Sequence, residues 1–160
     1  MRLVDRQEQV ISANVKLFSP DISADGEKIV AVHVSDADSA ALVLLDAKGK
    51  VVHEQGFPMQ IISHPKFTAD ASTVVAAVRN ISGEMGLIKW HPASSRIDTL
   101  LAFANRPLGF LQVQGDTLLF TATQDGKDAQ YAMLLSDQQT WLMAEHPTGW
   151  YQSAYVQGIS

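Results

Sequence analysis

The chain reads as short runs rich in Val, Ile, Leu, Thr and Phe, each closed by Asp, Gly, Asn or Ser. Apolar residues never recur at helical spacing over ten or more unbroken positions, so the pattern predicts strands rather than helices. The runs fall into units of four. The first unit has "DIS", a turn at Ala24-Asp25-Gly26, then "KIVAVHV", "AALVLLD" and "VVHEQ". The second has "KFT", a turn at Ala69-Asp70-Ala71, then "TVVAAVR", "GLIKW" and "IDTLLAF". "GFLQV", a turn at Gln114-Gly115-Asp116, "TLLFTAT", "AQYAMLL" and "TWLMAE" form the third. Asp25, Asp70 and Asp116 therefore recur at intervals of 45 and 46 residues. Glycine accepts a positive φ without steric cost, which makes Asp25-Gly26 and Asp125-Gly126 tight-turn signals. Ala71 lacks that freedom, so a different turn is expected in the second unit.

A period of about 40–50 residues holding four strands is the signature of a β-propeller blade, whose sheet hides its faces against the sheets before and after it. The predicted fold is all-β and propeller-like, with antiparallel blades at about 15–56, 57–103 and 104–146. "LVDRQEQVIS" overlays "LLDAKGKVVH", which makes residues 1–14 a partial blade, and "YVQGIS" overlays "LQVQGD", which makes 147–160 another. Three closures follow: a segment of a larger propeller, terminal pieces joining as a small fourth blade, or two chains sharing one ring. The first is preferred because closed propellers usually need four to eight blades. Open edge strands also invite pairing with a second copy of the chain.

Composition narrows the partners. Seventeen acidic against twelve basic residues give a net charge of -5, which lacks the positive field that nucleic acid selects. No apolar run approaches the roughly 20 residues of a membrane-spanning helix, so no membrane insertion is expected. The absence of cysteine excludes disulfides, thiolate metal sites and cysteine nucleophiles. The amino-terminal segment has no signal-peptide pattern. The compartment stays open, and is periplasmic if a longer parent chain carries an export signal upstream.

The stretch "SPDISADGEKIVAV", an aromatic-Ser-Pro lead-in followed by an Asp-Gly turn and a strand, resembles the repeat of TolB-type bacterial propellers. The likeness is closest over residues 18–54, good over 64–103 and weaker over 106–145. It implies a propeller module that presents loops for binding. Propellers of this type include periplasmic scaffolds, lids of serine peptidases and certain polysaccharide lyases, so the resemblance fixes architecture more than activity.

Catalytic chemistry finds little support. No Gly-x-Ser-x-Gly elbow is present, and "ISGEMG" at 81–86 fits a strand-connecting turn; no glycine-rich loop leads into a helix. His64, His91 and His146 each precede a proline, and His64 and His146 read as equivalent blade connections. On that reading His64 and His146 would share a metal with Asp21. The preferred reading is that His-Pro marks exposed turns, with no metal or other cofactor. His33 reads as a hydrogen-bonded sheet residue and His53 as solvent-facing. The acidic turn holding Asp36 and Asp38 lacks the glycine and distal glutamate of a calcium loop. Trp90 and Trp141, late in their blades, are expected to pack between sheets.

The sequence thus points to a non-catalytic interaction module that binds protein or peptide through loops at one end of the ring. The connections at 57–65, 103–109 and 145–152 are expected to form that end, with Met59, His64, Arg106, Trp150 and Tyr151 as contact residues. The alternative is a propeller lid of a larger hydrolase, or a metal-dependent lyase-like enzyme.

Overall fold

The turn-bounded runs become strands throughout the computed structural model, which describes residues 16–36 and 39–146 and has no helix among them. The strands form three four-stranded antiparallel sheets, each in simple sequential order. The first sheet holds β1 (Leu17–Ile22), β2 (Lys28–Asp36), β3 (Ser39–Asp46) and β4 (Val51–Pro58). β5 (Ile61–Phe67), β6 (Val74–Arg79), β7 (Met85–His91) and β8 (Arg96–Ala104) make the second. The third consists of β9 (Leu108–Gln114), β10 (Thr117–Gln124), β11 (Lys127–Leu134) and β12 (Thr140–His146). The terminal partial blades of the sequence reading, Trp150 and Tyr151 lie outside the described residues.

The second sheet is apolar on both faces because it is covered on both sides. Val30, Val32, Leu42 and Leu44 of the first sheet pack against Val74, Ala76, Ile88 and Trp90 of the second. The opposite face of the second sheet, carrying Val75, Ala77 and Leu87, packs against Leu118, Phe120 and Met133 of the third. Each buried Val, Leu, Ile, Phe or Met side chain among these stabilises by about 1.5–3 kcal/mol. Trp90 fills the space between sheets as expected, at 1% exposure. Trp141 does not: it lies on the outermost strand, 42% exposed, opposite Ala132. Cross-strand partners share a face, and Ala132 pairs with Leu119, whose neighbours Leu118 and Phe120 point the other way into the second sheet. Trp141 therefore faces away from that interface.

The first strands β1, β5 and β9 run side by side and are joined across the sheets. Asp21 accepts from Lys66 Nζ and from the Phe67 backbone N–H, each at 2.9 Å. Lys28 Nζ donates to the Ala71 carbonyl at 3.1 Å, a second tie between the first two sheets.

All three first strands carry an irregularity at one equivalent position. Ser19, His64 and Phe110 adopt left-handed backbone, φ 49°, 52° and 50°, where the register with the second strand slips. Pro20 and Pro65 follow directly, and a proline is tolerated there because these strands lie at a sheet edge and need no further ladder donor.

The second unit's first turn corrects the sequence expectation, because Ala71 adopts φ 52° and builds the same turn as the first unit. In the first, Gly26 N–H donates to Ser23 and Ser23 N–H to Lys28; in the second, Ala71 N–H donates to Thr68 and Thr68 N–H to Thr73. A left-handed alanine costs about 1–2 kcal/mol. Here side chains offset that cost: Thr68 Oγ1 and Ser72 Oγ each donate to Asp70 at 2.7 Å.

Candidate functional site

Antiparallel order within each sheet sends the β4–β5 and β8–β9 connections to the same end as the β6–β7 and β10–β11 turns. The ties between neighbouring first strands keep equivalent ends together across sheets. This connection end carries Met59 and Ile81, both in turns, at 59% and 73% exposure. Ile61, the first residue of β5, is also exposed, as is Phe110 in the β9 bulge. Among the described residues, the turns at the opposite end hold no exposed large apolar side chain. Ile22 and Val51, at strand ends on the opposite side, are exposed as well, so what marks the connection end is that apolar side chains stand on its turns, where a partner can reach them.

His64 is not in a connection, contrary to the sequence reading. It is the fourth residue of β5, whereas His146 is the last residue of β12, so the two do not occupy equivalent places. The bulge turns the half-buried His64 ring toward β9, where it stacks at a tilt on Phe110 with centroids 5.8 Å apart. A Cβ added to Gly109 would stand 3.7 Å from His64 Nε2, at ordinary contact distance, which places the imidazole directly beside the β9 backbone. Burial, assisted by the Lys66 ammonium, pushes the His64 pKa below the usual histidine value. Asp21, the proposed carboxylate partner for a metal, is engaged by Lys66 and Phe67. No group of three or more His, Asp or Glu side chains suited to a metal occurs among the described residues.

Met59 sits in the β4–β5 connection with left-handed backbone, φ 55°. Arg106, in the β8–β9 connection, donates from Nη2 to the Ala102 carbonyl at 2.8 Å, while its buried Nε has no partner among the described residues. Met59 and Arg106 thus emerge at one end, with His64 and Phe110 in the bulges beside them.

A second feature, not singled out in the sequence, is a polar cleft of about 500 Å³ at the opposite end, between the second and third sheets. Asp70, Ser72, Lys89, His91, Asp116 and Ser136 line it. Hydroxyl and backbone donors from Ser72 and Thr68 hold the Asp70 pKa down to about 2. Ser136 Oγ donates to Asp116 at 2.5 Å. His91, expected as an exposed turn histidine, instead bonds Asp98 through Nε2 at 2.8 Å, and Arg96 reaches the same carboxylate at 3.0 Å. His91 and Asp98 are drawn together across the β7–β8 hairpin, a pairing the His-Pro spelling conceals. His33 stands 3.6 Å from Glu54, and His53 is exposed.

No family model matches the chain, and no curated protein matches it. Solved structures do. An oligogalacturonate lyase in complex with manganese superposes with TM-score 0.68 at 12% identity, over 88% of this chain and 45% of that one. A structure from an analysis of two prolyl endopeptidases gives 0.63 at 16%, over 82% and 22%. The β-propeller domain of the Trilobed protease from Pyrococcus furiosus gives 0.61 at 13%, over 82% and 42%. At such identities the likeness shows the fold, which is propeller-like. The chain spans less than half the length of each of these proteins.

Proposed function

We propose that the chain is a propeller segment, TolB-like in its repeat, that acts as a non-catalytic recognition module for protein or peptide. The observation that carries this reading is the set of exposed apolar side chains at the connection end, Met59, Ile61, Ile81 and Phe110, grouped on rigid strands and short turns. A scaffold of packed sheets with apolar loops at one end buries partner surface at little ordering cost.

The reading is tested on an array of immobilised heptapeptides probed with the labelled chain. Retention is expected, and Met59→Glu and Phe110→Ser should each weaken the best binders at least about tenfold, the scale of a contact hot spot. Ser72→Ala, at the opposite end, should leave retention unchanged. Absence of retention overturns the proposal, as does loss caused by Ser72→Ala alone.

A second reading, a lid propeller attached to a hydrolase, is favoured by the likeness to the prolyl endopeptidase and Trilobed protease structures. A propeller serving as lid would use the same end to admit peptide substrate. A metal-dependent lyase-like role draws on the lyase likeness alone, and the engagement of Asp21 by Lys66 weighs against the metal set His64, His146 and Asp21.

A further inference from the structure

We infer that the connection end of the second sheet binds the carboxyl-terminal residue of a peptide, with Arg79 holding the terminal carboxylate and Ile61 meeting an apolar last side chain. The inference rests on the recognition reading above and specifies its ligand.

Ile61, Arg79, Met85 and Ala104 are cross-strand partners in one row across β5, β6, β7 and β8. Partners share a face, here the one that also carries Ala77 and Leu87 toward the third sheet. The row lies at the very end of the sheet. Met85 closes it on the third-sheet side, where its Sδ accepts from the Leu108 backbone N–H at 3.3 Å. Two residues beyond Ala104 stands Arg106, whose Nε is buried and unpartnered among the described residues.

Arg79 is exposed, and its side chain makes no hydrogen bond or ion pair among the described residues. Its guanidinium nevertheless has a defined place: Nη2 lies 3.6 Å from where a Cβ on Gly83 would stand, against a turn glycine with φ 84°. The nearby carboxylate in that turn, Glu84, is already held by Asn80, which donates from Nδ2 at 2.9 Å and accepts from the Glu84 backbone N–H at 3.0 Å. An arginine left without an anion, in a chain of net charge -5, has chosen no internal carboxylate. The planar guanidinium fits a carboxylate through two parallel hydrogen bonds.

Geometry selects a chain terminus over an acidic side chain. Adjacent strands lie about 4.8 Å apart, so Ile61 and Arg79 are separated by roughly the reach of a single residue. A carboxyl-terminal leucine or similar residue projects its carboxylate and its apolar side chain from one Cα, matching that pair. An internal glutamate would have to borrow its apolar contact from another residue along the strand.

The test uses fluorescein-labelled Gly-Ser-Gly-Ser-Ala-Leu with a free carboxylate, its carboxyl-terminal amide, and amidated Gly-Ser-Glu-Leu-Ser-Gly, titrated by polarisation into the full chain. The free acid is expected to bind at least tenfold more tightly than either amide. Arg79→Gln should remove that preference, and Ile61→Ser should weaken the acid while keeping it. The Arg79 side chain is exposed and unbonded, so its substitution leaves the fold intact, and an unchanged melting profile verifies this. Equal binding of acid and amide, preference for the internal glutamate, or a preference that survives Arg79→Gln overturns the inference while leaving apolar recognition standing. If the array of the preceding test yields binders but this acid does not bind, the inference also fails. Absence of any peptide binding defeats the recognition reading itself.

Discussion

Replacing Asp21 by alanine removes both the ion pair to Lys66 and the acceptor for the Phe67 backbone N–H, two bonds that cross from the first sheet to the second. The two losses differ in size. A hydrogen bond to a charged acceptor is worth about 1.5–3 kcal/mol, and its loss leaves a strand N–H without a partner. The Lys66–Asp21 pair has side chains only 33% and 22% exposed, yet such pairs near the surface contribute about 0.2–1 kcal/mol. Asp21→Ala should therefore cost about 2–4 kcal/mol, and Asp21→Asn, which can still accept from Phe67, about 1 kcal/mol. Lys66→Met should cost less than about 1 kcal/mol. For a chain of 160 residues this places Asp21→Ala about 5–12 °C below the parent in melting temperature. Urea unfolding with a shared m-value supplies the free energies. If Lys66→Met proves as damaging as Asp21→Ala, the backbone bond is not the principal clamp. If Asp21→Ala is neutral, the first strands are not held together in this way.

Three further outcomes follow from side-chain surroundings. A Cβ on Gly86 would lie 2.9 Å from the Leu101 carbonyl oxygen and 3.0 Å from Phe103, so Gly86→Ala should destabilise by about 1–3 kcal/mol in calorimetry, whereas Gly126→Ala meets no neighbouring atom and suffers only from its φ of 73°. The His64 pKa is lowered by burial, so the unfolded chain binds the proton first; stability relative to His64→Gln should be fully present above about pH 6.5 and fall as pH drops through the folded value, and the imidazole NMR titration midpoint should lie below 6.5. Asp70 is depressed to about 2 by Ser72 and Thr68, so its contribution relative to Asp70→Asn should be present above about pH 4 and disappear between pH 4 and 2 in acid unfolding; an unchanged difference across that window would count against the hydrogen-bonded turn.

The sheets were legible in the sequence because alternating turns and β-branched runs leave few other ways to bury apolar residues, and the repeated Asp25, Asp70 and Asp116 do fall in the first hairpin of each sheet. The bulge at Ser19, His64 and Phe110 was not, since three dissimilar residues share one left-handed position without a glycine to announce it. That hidden residue displaced His64 from a connection into a strand and dissolved its equivalence with His146. Trp141 was misread because a late position in a blade specifies a strand but not which face its side chain takes. That Met59 and Arg106 lie between sheets was legible from the spacing of the strand runs. Arg79 and the cleft around Asp70 depend on cross-strand neighbours distant in sequence, which no local pattern displays.

The most direct measurement is a backbone amide NMR titration of the full chain with the free-acid hexapeptide. Shift changes should concentrate on Met59–Ser63, Arg79–Met85 and Asn105–Phe110, all at the connection end. Changes centred on Thr68–Thr73, Asp116 and Ser136, or none at saturating peptide, would contradict a recognition surface at that end.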